Sequence, residues 1–200
     1  MDVDWNERYC TGDLPWDMGK PEDNLAELVG DKTISPCAAL EVGCGTGTNV
    51  LWLAQRGFDV VGIDIAPAAI AMAKNKLADA ALDCPLITLD ILKETVPGGP
   101  FGFVFDCGCL HCFDEPEERA DFAAAIAAHL APGGLWLSIL GSADDPPRDI
   151  GPPQRSATDI VLAVESHFEI LELSTSFFNV DRPEPPRAWR CFMRKRPGTP

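Results

Sequence analysis

Residues 41–65 read EVGCGTGTNVLWLAQRGFDVVGIDI, and the fold turns on them. Just before and into this stretch, Ala38–Val42 is apolar apart from Glu41 and predicts a buried strand. Gly43, Gly45 and Gly47 follow at once. Glycines at a strand exit let the chain turn sharply and let a ligand approach the backbone. Thr48–Gln55 then predicts a helix, with Gly57 in the usual position just past a helix end. Phe58–Ile63 predicts a second strand, and Asp64 stands at its end. Strand, glycine turn, helix and strand together open a parallel α/β unit.

The same alternation continues outward. A helix starts at Pro67, a residue suited to a first helical turn, and carries Ile70, Ala73, Leu77 and Ala81 at helical spacing. Pro85–Leu89 and Phe101–Asp106 predict the third and fourth strands. Asp114 is the expected N-cap of the next helix, with Glu117 completing a capping box and Phe122, Ile126 and Leu130 facing inward. Ala131-Pro-Gly-Gly134 stops that helix before a fifth strand at Leu135–Leu140. A proline-rich loop over 144–153 leads to a helix near Ser156–Ser166 and to strands near Glu169–Ser174 and Ala188–Arg194. Before all this lie a mixed segment over 1–21 and a short helix over 22–30. The class is α/β, with a mostly parallel sheet covered on both faces. Such sheets bind ligands beyond the carboxyl ends of their strands, where strand order reverses.

Composition narrows the partners. The 200 residues carry a net charge of −15, and 46% are apolar. That suits one domain with a substantial core, and it disfavours nucleic acid and anionic membranes. The amino terminus lacks an apolar signal and no apolar run is long enough to span a bilayer, so a cytoplasmic location is expected. The eight cysteines are then expected as free thiols.

At the glycine turn an adenosine ligand is expected. Asp64, about 20 residues beyond the first glycine, suits a carboxylate that accepts from both ribose hydroxyls. A dinucleotide fingerprint wants its third glycine one residue later than Gly47. Glu41 would also disfavour a pyrophosphate while favouring the ammonium of a methionine tail. S-adenosylmethionine therefore fits better than NAD.

These motifs resemble the class I S-adenosylmethionine-dependent methyltransferases. Leu89-Asp90-Ile91 is similar to their third-strand motif, and LAPGGLWLSIL (130–140) to their fifth-strand motif. The resemblance spans roughly residues 38–195. It implies a Rossmann-like, doubly wound sheet of seven strands, mostly parallel, with the last strand antiparallel. More narrowly, the chain resembles the thiopurine and tellurite-resistance methyltransferases and their short bacterial relatives. Trp5…Arg8-Tyr9…Trp16-Asp17…Gly19-Lys-Pro21, Asp106-x-Gly108-x-x-His111 and Gly151-Pro-Pro153 carry that match. The resemblance implies one methyltransferase domain over 1–200, whose segment 1–30 covers the cofactor. It implies cofactor contacts from Trp16, Glu41, Gly43, Gly45, Gly47, Asp64, Ile65, Asp90, Ile91, Asp106 and Cys107.

The stretch FDCGCLHCF (105–113) then lies on the rim beside the transferable methyl group. Cys109 and Cys112 have C-x-x-C spacing, but a structural zinc usually needs a second close pair, and none follows. A reactive dithiol lacks its thioredoxin context. A pocket wall is expected instead, with Cys109 and His111 alternating toward the acceptor if the chain stays extended. His111 is the candidate for deprotonating or orienting the acceptor. A turn histidine bonded to backbone is the competing reading. Arg148 and Arg155 flank the proline-rich loop, and Arg148 is the candidate contact for an anionic acceptor. His129 is expected as a cationic cap near a helix end. The expected activity is methyl transfer to a small molecule, a thiol or other soft nucleophile first. The alternatives are O-methylation of a phenol or quinol, and a non-catalytic S-adenosylmethionine- or metal-binding protein. No metal is expected, and the oligomeric state is not legible.

Overall fold

The computed structural model describes residues 3–147 and 151–198. In chain order the elements are α1 (Trp5–Thr11), α2 (Asp23–Gly30), β1 (Ala38–Val42), α3 (Thr48–Ala54), β2 (Asp59–Asp64), α4 (Pro67–Asp79), β3 (Leu86–Thr88), β4 (Phe101–Cys107), a 3₁₀ turn (Leu110–Cys112), α5 (Pro116–His129), β5 (Leu130–Gly141), α6 (Ala157–Val164), β6 (Phe168–Phe177) and β7 (Arg187–Lys195). They build a seven-stranded sheet in the order β3-β2-β1-β4-β5-β7-β6. Strands β1 to β5 pair in parallel, and β7 runs antiparallel to both β5 and β6. The order reverses between β1 and β4, whose carboxyl ends meet at the pairing Val42–Asp106. The site follows from that pairing.

Apolar residues fill both faces of the sheet. Leu40, Val42, Val104, Phe122, Ile126 and Trp136 pack on one side. Ala39, Val50, Leu53, Ile70, Phe103 and Phe105 pack on the other. β1 and β4 alternate their side chains between two buried layers, which explains why both read as nearly unbroken apolar runs.

Three local expectations are corrected. Helix α4 ends at Asp79, and Ala81 is an exposed residue at φ +54° beyond it. Its helical spacing from Leu77 was a coincidence of composition in an alanine-rich tail. The N-cap of α5 is Glu115, one residue later than Asp114, and Glu118 rather than Glu117 accepts the Glu115 N–H (3.4 Å). Pro116 decides this: its fixed φ and missing N–H suit the first helical position, so the residue before it caps. Ala131–Gly134 does not separate helix from strand. β5 already pairs at Leu130 with Phe101 and resumes at Leu135 with Phe103, so the intervening residues bulge out of the ladder. The amino-terminal segment also contains a helix, α1, which its polar composition did not suggest; Asp4 caps it by accepting the Glu7 N–H at 2.9 Å.

Candidate active site

At the exit of β1 the chain turns through Gly43, Gly45 and Gly47, all in the left-handed region at φ +67°, +53° and +77°. The turn has no room for side chains. A Cβ on Gly43 would collide with the Cys109 Sγ, and one on Gly45 would lie 3.0 Å from the Tyr9 hydroxyl. Backbone thus lines the floor at Gly43 and Gly45, and Cys109 and Tyr9 come down onto it.

Glu41 and Asp64 sit on either side of this floor, both buried. Asp64 Oδ2 accepts the Gly45 N–H and Oδ1 the Ala66 N–H, each at 2.9 Å. Burial raises its carboxyl, and those backbone donors hold it partly down. Glu41 is less well served. Its Oε1 accepts from the Asn49 amide at 2.9 Å, while Oε2 has no partner among the described residues. Burial first, and then the charge of Asp64, push its carboxyl up to about 8. A buried carboxylate oxygen without a donor costs free energy that a bound cation recovers. An ammonium fits that oxygen, so the residues present fit S-adenosylmethionine.

The flanks suit an adenosine. Ile65 follows Asp64 and is 56% exposed, an unusual state for an isoleucine beside a buried carboxylate. Leu92, just past Asp90 and Ile91, is also exposed. Asp90 accepts the Leu92 N–H at 3.0 Å and pairs with Lys93 at 2.7 Å, while Ile91 is buried.

The amino-terminal segment docks on this edge. Asn6 accepts the Ala68 N–H at the start of α4, and Thr46 donates to Asp17 at 2.8 Å. Lys76 donates to the same Thr46 hydroxyl at 2.6 Å. Trp16 meets Trp5 and Tyr9 edge-on at 5.8 and 6.1 Å, with the Arg8 guanidinium 4.4 Å from its ring centre. Tyr9 is buried, and desolvation together with the charge of Asp64 pushes its hydroxyl up. Tyr9 belongs to the site although sequence reading placed it only in a motif. A lone tyrosine in a polar stretch was the available signal.

Beyond β4 the expected extended wall is a tight turn. Gly108 takes φ +90°, donates its N–H to Ile139 O at 2.8 Å, and the 3₁₀ turn follows. Cys109 and His111 therefore do not alternate along a strand. Cys109 Sγ reaches back to the Val42 carbonyl at 3.3 Å, against the glycine floor, while Cys112 Sγ lies 3.0 Å from the Gly108 carbonyl. Cys107 is exposed on the rim. Among the described residues no group of three or more histidine, cysteine, aspartate or glutamate side chains is placed to hold a metal ion.

The turn is held from within. Asp106 is wholly buried; its carboxylate accepts from Trp136 Nε1 (2.9 Å) and from the Cys109 and Leu110 N–H groups (3.1 and 3.4 Å). Burial still lifts its carboxyl to about 6. The side chain of Asp106 thus braces the turn, and only its backbone stands beside β1. His111 is also buried: Nδ1 accepts the Gly141 N–H at 2.9 Å, and the ring meets Phe178 edge-on at 5.9 Å. A Cβ at Gly108 would lie 3.3 Å from His111 Nε2. The D-x-G-x-x-H spacing thus has a mechanical cause: carboxylate under the turn, glycine beneath the ring, imidazole across to the next strand.

Arginines complete the brace. Arg155 donates to His111 O (2.8 Å), Phe113 O (2.9 Å) and Asp114 Oδ1 (2.9 Å). Arg119 donates to Phe113 O and Asp114 O at 2.8 and 2.7 Å. Arg155 is therefore committed to the turn and to the Asp114 carboxylate, and Arg148 lies outside the described residues. His129 is a bridge rather than a charged cap: Nε2 accepts the Val96 N–H at 2.9 Å, and Nδ1 faces Ala125 O at 2.7 Å. Beside the turn, a cleft of about 400 Å³ opens between α2 and the end of β6, lined by Asn24, Glu27, Ser176 and Phe178 among others.

A sheet reversed at β1/β4, a backbone-floored glycine turn and paired acidic strand ends define a nucleoside-binding α/β fold. Residues 39–134 match the methyltransferase domain family. This part of the chain is a methyltransferase domain. The whole chain is 28% identical over 88% of its length to a 2-heptyl-1-hydroxyquinolin-4(1H)-one methyltransferase of Mycobacteroides abscessus, of which it covers 73%. It is 31% identical over 74% of its length to a probable thiol methyltransferase of Arabidopsis thaliana, of which it covers 65%. Among solved structures, one from a study of the conversion of a disulfide bond into a thioacetal group during echinomycin biosynthesis superimposes with a TM-score of 0.80 at 26% identity, covering 91% of this chain and 84% of that one. Among the described residues no helix is long and apolar enough to cross a membrane.

Proposed function

We propose that the enzyme methylates a small organic thiol or a comparably soft nucleophile. The observation that carries this is the state of the rim: Nδ1 of His111, the group expected to deprotonate or orient the acceptor, is committed to the Gly141 N–H, and Asp106 beside it, expected as a cofactor contact, is committed to its own donors. His111 cannot take a proton at Nδ1 without giving up the Gly141 N–H. A thiol, with an ordinary pKa near ~8.5, supplies its own thiolate and needs little help. A phenol near ~10 gains more from a base.

Bound S-adenosylmethionine supplies a methyl group already activated by its sulfonium. The chain's own residues position and exclude. Glu41 holds the ammonium, Asp64 the ribose edge, and Gly43 and Gly45 let the ligand rest on backbone. Ile65 and Leu92 flank the base with Asp90 and Ile91 behind them. Trp16 and Tyr9, carried by segment 1–30, cover the site and keep water out, and residues 1–200 act as one unit. Cys107 and Cys109 give the methyl-facing rim a soft, weakly hydrated surface. His111 orients the acceptor from the rim. Alignment of this kind is worth about 7–11 kcal/mol in favourable cases. Free thiols throughout suit a cytoplasmic enzyme.

A second reading, O-methylation of a phenolic or quinol-like acceptor, draws on the cleft beside Phe178, which is large enough for a ring system. The test is release of S-adenosylhomocysteine with small thiols, sulfide, tellurite, phenols and quinols in parallel. Turnover with thiols or soft anions alone supports the leading reading. Turnover with phenols alone overturns it.

A further inference from the structure

A row of buried and half-buried polar groups, linked through the Glu22 backbone N–H, runs from the cofactor floor to the α2–β6 cleft, and beyond Glu41 the proposed mechanism does not use it. Asn49 on α3 donates to Glu41 Oε1 at 2.9 Å, and its Oδ1 accepts the Glu22 N–H, also at 2.9 Å. The Glu22 carboxylate caps α2, accepting the Leu25 N–H at 2.8 Å and the Asn24 amide at 2.6 Å. Asn24 Oδ1 in turn accepts from the Ser176 hydroxyl at 2.9 Å, on the far wall of the cleft. Glu41, Glu22 and Asn24 are 3%, 5% and 8% exposed. Burying three such groups in a row is costly unless each is satisfied by the next, so the row is ordered only as a whole. Its one carboxylate oxygen without a partner among the described residues is Glu41 Oε2, at the cofactor end.

We propose that Asn49 and Glu22 are positioning residues that couple the loading of Glu41 to the order of the cleft wall formed by α2 and the end of β6. This rests on the reading of Glu41 as the ammonium site. A cation on Oε2 fixes the carboxylate, which fixes the Asn49 amide. The Asn49 oxygen then holds the first residue of the α2 cap, and Asn24 is held against Ser176. The cleft is thereby shaped for its occupant only after the cofactor is in place, and affinity at the two sites is linked in both directions.

Amide hydrogen exchange with S-adenosylhomocysteine tests this without an acceptor. The Cys44 N–H, bonded to Ile63 O, reports the floor; the Leu25 N–H, bonded to Glu22, and the Phe178 N–H, bonded to Pro186 O, report the cleft wall. In the wild type the ligand should slow all three, the cleft pair by at least about fivefold, the lower end of ordinary coupling between sites. In Asn49→Ala the Cys44 protection should remain and the Leu25 and Phe178 protection should vanish. Ser176→Ala, which leaves the helix cap intact, should release Phe178 alone and stands in if Asn49→Ala does not fold. Protection of Cys44 without Leu25 or Phe178 in the wild type overturns the coupling. So does protection of all three in both variants. If nothing is protected, the cofactor reading itself fails and the coupling falls with it.

Discussion

The loop after β1 and the turn after β4 meet edge to edge at Val42 and Asp106, yet they are built in opposite ways. The glycine loop is mostly backbone. Its requirements are left-handed φ values and empty space, and its two carboxylates sit at neighbouring strand ends. The β4 turn is mostly side chain. Asp106, Trp136, Arg155, Arg119 and the His111–Gly141 pair hold it in place. A site floored by backbone tolerates few substitutions and serves one ligand. A rim braced by inward side chains keeps its own shape.

The largest effect should come from removing the empty space. Gly43→Ala puts a methyl onto Cys109 Sγ and strains a left-handed residue. Left-handed strain costs about 1–2 kcal/mol and overpacking about 1–3 kcal/mol, so binding of S-adenosylhomocysteine should fall by about 100-fold. Calorimetric titration measures it. Adding Cys109→Ala should recover the part due to collision and leave the part due to φ. Full recovery would mean that backbone conformation at Gly43 matters little.

Next in size is the charge of Glu41. At neutral pH the buried carboxyl of the free enzyme, near 8, is largely protonated, while holding an ammonium requires the carboxylate. Affinity for S-adenosylhomocysteine should therefore rise from pH 6 toward 8, by up to about tenfold per unit. The same raised value means that the free fold gives up stability as pH climbs from the ordinary carboxyl range toward 8, because the unfolded chain has already lost the proton. Asp106, near 6, adds in the same direction over the lower part of that window. Melting temperatures of the free enzyme should fall across this range, and Glu41→Gln should flatten both profiles. A wild-type affinity independent of pH would remove Glu41 from the ammonium site.

On the other side of the comparison, Arg155→Met should act on the rim and spare the floor. Hydrogen bonds to a charged group are worth about 1.5–3 kcal/mol each in net terms, and three are lost. Turnover should fall by about tenfold or more while affinity for S-adenosylhomocysteine stays within about twofold, the signature of a rim braced separately from the floor. A matching loss of ligand affinity would show that the two regions are one unit.

The smallest effect is expected from His111→Asn with a thiol acceptor. Loss of a true general base costs about 100–10,000-fold, whereas an orienting ring should cost about tenfold or less. Steady-state rates across pH separate the two.

The difference between the regions also explains what was legible in the sequence. Gly43, Gly45, Gly47, Glu41 and Asp64 belong to contiguous strand–turn–helix units, so spacing alone placed them; the alternation implied a mostly parallel sheet, while the count of seven strands and the antiparallel last strand came only from the family resemblance. The β4 turn was not legible. Its conformation depends on Trp136, Gly141 and Arg155, which are remote in sequence from Asp106 and His111, and no local pattern says that Arg155 turns inward. Helix α1 escaped because its stability comes from a cap at Asp4 and packing of Trp5 and Tyr9 on α4 rather than from its own periodicity. Asn49 escaped for a similar reason: an asparagine inside a helix has weak helix preference, and only the fold shows that it joins Glu41 to Glu22.

The central claim is that the floor of the β1 loop takes a methionine-tailed adenosine through Glu41. Calorimetric titration with S-adenosylhomocysteine at pH 7, repeated in two buffers of different ionisation enthalpy, tests it most directly. The account predicts saturable binding with close to one proton released, and loss of that proton release in Glu41→Gln. Binding with no proton exchanged, or preferential binding of NADH, would contradict it.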